Sequence, residues 1–92
     1  MRIERIANAR VCELRPRGEL RLEGARELFE RAMQEDSDHV VLDFSGCEVE
    51  DRALSALAEL LNEAQVRLSI RGLRDRQLRL LEYLGAERPS AH

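Results

Sequence analysis

The chain has 92 residues, a formal charge of −3, 43% hydrophobic and 36% charged residues, one Tyr, two Phe and no Trp. That length has room for one core, since domains cluster near roughly 100–150 residues, and an aliphatic one, given 15 Leu and 10 Ala. All 15 basic residues are Arg, which excludes a Schiff-base lysine and a P-loop lysine.

In chain order, residues 2–6 are short, with Ile3 and Ile6 apolar, and predict an edge strand; Asn8 marks a turn. Residues 10–16 alternate, with Cys12, Leu14 and Pro16 on one face, and predict a strand in which Pro16 sits where no N–H is needed. Gly18-Glu19-Leu20 reads as a turn. Over 23–34, Ala25, Leu28, Phe29, Ala32 and Met33 form the stripe of an amphipathic helix. Residues 39–44 are an apolar run that predicts a central strand buried on both sides, and Ser45-Gly46-Cys47 leaves the sheet. A second helix is predicted over 52–64 with Asp51 as its N-cap. Residues 66–71 alternate as a strand stopped by Gly72. Residues 75–84 predict a third helix capped by Gly85. Residues 87–92, with Pro89, read as a disordered tail. The order ββαβαβα predicts one α/β domain over 1–86, with a small, mostly parallel sheet of four to five strands and about three helices packed on it.

No apolar run approaches the ~20 residues that span a bilayer, and no signal-peptide pattern follows Met1, so a cytoplasmic address and no membrane insertion are expected. Cys12 and Cys47 stand 35 positions apart without CxxC spacing, which predicts free thiols rather than a disulfide or zinc site. Asp43, Glu48, Glu50 and Asp51 are close in sequence, but their order fits no EF-hand loop; they read as a solvated acidic rim, with no metal and no cofactor. His39 has no Ser, Cys or Asp at motif spacing and His92 lies in the tail, so no general base is visible and an enzyme is not expected.

Charge is uneven: residues 1–26 sum to +3, 27–66 to −9 and 67–92 to +3. The acidic centre argues against nucleic acid as the main partner and suits a basic protein surface. Arg67, Arg71, Arg74, Arg76 and Arg79 form the one basic cluster. Without interleaved aromatics for base stacking, it reads as salt-bridging to acids of the same or a neighbouring chain.

Three segments in order resemble the STAS domain family of bacterial anti-sigma factor antagonists. Val40-Val41-Leu42-Asp43-Phe44-Ser45-Gly46, followed by Val49-Glu50-Asp51, is similar to the family's central strand and the loop that carries its D-S-S-G-L signature. Leu14–Leu20 resembles the strand and G-E-L-D turn before the first helix. Leu68–Leu73 with Leu78–Gly85 resembles the last strand and helix. The resemblance implies a protein-binding module that docks a kinase-like anti-sigma regulator. In phosphorylated members the second hydroxyl of that signature accepts phosphate. Aligned without gaps, that position is Ala53, preceded by Arg52 and followed by Leu54; a register with two inserted residues brings Ser55 there instead.

The gapless register implies docking without a phosphorylation switch, through Cys47, Glu48, Glu50, Asp51, Arg52, Leu54 and Ser55. Leu54 is expected as an exposed apolar anchor and Arg52 as a contact to a partner carboxylate. Two alternatives stay open: a STAS subunit of a bacterial ABC-type lipid transporter, docking its ATPase, and a nucleic-acid-binding domain using the Arg67–Arg79 cluster. A homodimer is also open.

Overall fold

A computed structural model of the chain describes residues 2–63, 67–85 and 90–91. Strand β1 (Arg2–Ala7) runs antiparallel to β2 (Val11–Leu20), with Arg2 opposite Arg17 and Ala7 opposite Cys12. Asn8 makes the turn as its type predicts, its Oδ1 accepting the N–H groups of Arg10 and Val11 at 2.8 and 2.9 Å. Then follow α1 (Leu22–Gln34), β3 (His39–Asp43), β4 (Cys47–Val49), a 3-10 turn (Asp51–Ala53), α2 (Leu54–Glu63), β5 (Arg67–Arg71), α3 (Asp75–Tyr83) and β6 (Ser90–Ala91).

The sheet runs β1-β2-β3-β5-β6, parallel from β2 onward, with β4 pairing the far end of β2. The three crossovers, β2-α1-β3, β3-α2-β5 and β5-α3-β6, step the same way across the sheet. Right-handed connections therefore place their helices on one face. One parity of each strand faces them: Cys12 and Leu14, Val40 and Leu42, Leu68 and Ile70. These close a core with Leu28, Leu54, Leu57, Leu60 and Leu81. The other parity faces away from the helices. There Arg15 bridges Glu13 and Asp43 at 2.6 and 3.7 Å, and Arg71 reaches Glu13 at 3.3 Å. The central strand is thus covered by helices on one side and by an ion-pair network on the other, not by two apolar layers.

The predicted turn at Gly18-Glu19-Leu20 is instead the end of β2. Leu14 pairs Leu42 and Gly18 pairs Cys47, so the partner chain holds one residue more than β2 over the interval. The extra residue falls in Phe44-Ser45-Gly46, a bulge between β3 and β4. Gly18, at φ +92°, takes a bend that an L side chain resists. Pro16 lies in the gap, where neither β3 nor β4 pairs β2, which lets a proline stand inside a ten-residue strand.

Two further expectations are corrected. Met33 is half exposed while Ala25, Leu28 and Ala32 are buried, because the helix stripe has turned off the core by its last turn. Ser90 and Ala91, placed by the sequence in a loose tail, pair with β5 at Ser69 and Ile70. That pairing occupies backbone groups that an edge strand otherwise leaves free. The remaining tail positions lie outside the described residues.

Candidate protein-docking surface

The loop from β3 to α2 is built mainly from backbone. Phe44 N–H donates to Arg71 O at 2.8 Å, and Cys47 N–H to Phe44 O at 3.1 Å. Ser45 N–H donates to Asp43 Oδ1 at 2.9 Å. Burial alone would raise the Asp43 pKa; the Ser45 bonds, with Arg71 and Arg15 nearby, outweigh it and hold the carboxyl below its ordinary range. Gly72, at φ +89°, lies against this bulge so closely that a Cβ there would stand 2.4 Å from Ser45 N. The predicted stop at Gly72 is therefore also a packing requirement.

Beyond β4, Glu50 N–H donates to Leu20 O at 3.0 Å and Ala53 N–H to Glu50 O at 2.9 Å, closing the 3-10 turn. Glu50, not Asp51, holds the cap position, and no side chain caps it. Asp51 instead faces α3: Arg76 donates Nη1 and Nη2 to its two oxygens, each at 3.1 Å, and this hydrogen bonding lowers its pKa. Beside it, Gln77 Nε2 donates to Val49 O at 2.9 Å. A shallow cleft of about 210 Å³, lined by Cys47, Val49, Gly72, Arg74 and Gln77 among others, separates β4 from α3. Burial raises the Cys47 thiol pKa, which favours the thiol over the thiolate.

The loop residues divide sharply by exposure. Ala53 and Leu54 are fully buried, at 0%. Glu48, Asp51, Arg52 and Ser55 are exposed, and Cys47 and Glu50 are half-buried. Leu54 is therefore not an exposed anchor. The turn tightens to 3-10 just before the helix and rotates residue 54 onto the core, where it joins Leu57 and Leu60. Ser55 Oγ donates back to Arg52 O at 3.0 Å. Arg52 has no ion-pair partner among the described residues.

His39 has a neighbour that spacing does not reveal. Its Nε2 lies 2.6 Å from Ser69 Oγ, across the β3–β5 pair. Only the strand register brings them together, and Ser69, 2% exposed, is closed to a substrate. The arginine cluster disperses. Arg71 is on the sheet face away from the helices and bonded to Glu13, whereas Arg74 stands at the N-cap of α3 and Arg76 and Arg79 lie on that helix in the opposite layer, with Arg76 held by Asp51. The Arg67 side chain lies outside the described residues. Among the described residues, Arg71 and the arginines at α3 form no single basic face. Among the described residues, no group of three or more His, Cys, Asp or Glu is placed to hold a metal ion, and no helix is long and apolar enough to cross a membrane.

A family model described as "Mlab, STAS domain" matches residues 5–88. The chain belongs to the STAS domain family. Among solved structures it is similar to RsbS of Moorella thermoacetica, in a form with a serine-to-glutamate substitution. The TM-score is 0.67 at 16% identity, covering 100% of this chain and 86% of that one. It is also similar to the anti-sigma factor antagonist SpoIIAA in its unphosphorylated form, with TM-score 0.65, 10% identity, and 99% and 86% coverage. At these identities the likeness is one of fold. No curated protein sequence matches significantly.

Proposed function

We propose that this domain is a non-catalytic docking module of the anti-sigma factor antagonist kind, binding a kinase-like regulatory protein through the β4–α2 loop without a phosphorylation switch. The observation that supports this reading is the burial of Ala53: the residue that the gapless register sets against the family's phosphoacceptor is a methyl group, wholly buried in the 3-10 turn. A phosphate there would add about −1.5 to −2 charge at a helix start, and alanine offers it no oxygen. The contact surface comprises Glu48, Glu50, Asp51, Arg52 and Ser55, with Cys47 at the cleft. Buried Leu54 supports them from beneath.

Incubation with a cognate serine kinase tests the switch. Intact mass should stay unchanged, and phosphate on Ser55 would overturn the reading. Arg52→Glu should weaken capture of the regulator while circular dichroism stays that of wild type.

The Mlab designation of the matched family favours a second reading, the STAS subunit of a lipid-transport machine docking its ATPase through the same loop. Binding assays against each purified partner class separate the two.

A further inference from the structure

The large apolar side chains left exposed among the described residues gather at one end of the domain. They are Ile6, Val11, Met33, Tyr83 and Leu84, exposed by 51, 36, 48, 87 and 46%. The topology brings them together: β2, β3 and β5 start at this end, and all three helices finish there. Ile6 joins because β1 runs the other way, opposite Glu13. Single exposed apolar residues are ordinary. Here Met33, Tyr83 and Leu84 end the helix layer together, opposite the β4–α2 loop, whereas Ile6 and Val11 share the parity of Glu13 and lie on the sheet face away from the helices.

Charge at this end is unbalanced in the same place. Three helix C-termini bring their partial negative charges together. Neither α2 nor α3 has a basic residue in its last turn; exposed Glu63 and Glu82 stand there instead. Asp36 and Asp38, between α1 and β3, are also exposed and have no ion-pair partner among the described residues. Of the nearby cations whose side chains are among the described residues, Arg5 is taken up by Glu35, through bonds of 3.0 and 2.9 Å, which leaves Arg10 and Arg31.

We infer that this end is a second docking surface, and that it takes a basic amphipathic segment of a partner protein. The segment's apolar side chains cover Met33, Tyr83 and Leu84, and its cations meet Glu63, Glu82 and the helix ends. An anionic lipid surface is repelled by the same acids, and a second copy sets acid against acid. The surface lies at the opposite end from the loop, so this inference does not rest on loop docking.

Tyr83 is the only tyrosine and there is no tryptophan, so intrinsic fluorescence reports this end alone. The probe is a short aromatic-free lysine–leucine amphipathic peptide, compared with its glutamate–leucine counterpart. The basic peptide should change Tyr83 emission saturably, shield it from iodide, and bind at least about tenfold tighter than the acidic one. Glu63→Gln with Glu82→Gln should weaken binding and flatten its salt dependence. Met33→Ser with Leu84→Ser should weaken it about tenfold, and Arg52→Glu should leave it unchanged. Equal affinity for both peptides, indifference to these variants, or loss on Arg52→Glu overturns the inference. So does a mass doubling with concentration in sedimentation, or iodide shielding by phosphatidylglycerol vesicles.

Discussion

Asp51 and Arg76, 25 positions apart, meet through two parallel hydrogen bonds of 3.1 Å. A paired fork of this kind fixes orientation as well as distance. Both side chains are more than half exposed, and exposed pairs add little to stability. The effect of this pair is positional: it ties the turn that opens α2 to the first turn of α3, and Gln77 on Val49 adds a second tie. Asp51→Asn should therefore leave the unfolding midpoint near that of wild type while speeding amide exchange at Asp51–Ala53. Unchanged exchange would show that the backbone bonds of the turn suffice alone.

Leu54 is enclosed in the core, so Leu54→Ala should cost about 2–5 kcal/mol by cavity formation. Leu54→Asp should prevent folding at neutral pH, because an unpaired carboxylate would be buried there. Urea titration followed by circular dichroism measures both. A folded Leu54→Asp variant would return residue 54 to the surface.

Two glycines with positive φ give an ordered prediction. Gly18→Ala meets nothing within 4 Å and carries only the left-handed backbone penalty, about 1 kcal/mol. Gly72→Ala adds a collision with the Ser45 backbone and should destabilise by clearly more, several kcal/mol if the bulge cannot yield. Equal losses at the two sites would contradict the close approach.

Acid lability follows from three carboxyls. Arg5 hydrogen bonding holds Glu35 below its ordinary pKa, Arg76 does so for Asp51, and Asp43 is held there despite its burial. A folded-state pKa below the unfolded one gives stability that is complete above the unfolded value and lost as pH falls through the folded one. Stability should therefore drop as pH falls below about 4, and Glu35→Gln should make the drop shallower. Urea midpoints across a pH series test this; stability that rises on acidification would contradict it.

Much of the architecture is legible in local pattern. The alternation at Cys12-Leu14-Pro16, the spacing of Ala25, Leu28 and Ala32, and the apolar run from Val40 to Leu42 each predict an element that forms. What escaped depends on partners distant in sequence. Glu19 and Leu20 are strand only because Glu48 and Val49 pair with them, and His39 finds Ser69 only through the β3–β5 register. Asp51 has every local mark of a cap, yet Arg76 claims its carboxylate from another helix. The exposure of Leu54 is implied by the resemblance alone; its spacing with Leu57 and Leu60 puts it on the apolar stripe of α2, and the structure buries all three.

The outer edge of β1 has a consequence for self-association. Two copies joined edge to edge about an axis normal to the sheet would pair residues whose numbers sum to an even value, because facing residues share a face. The two registers with most overlap set Glu4 against Glu4 or Arg5 against Arg5, and like charges directly opposite are destabilising. Only three-residue overlaps centred on Ile3 or Ile6 escape this. The strand's charge order thus works against two copies zipping together along β1.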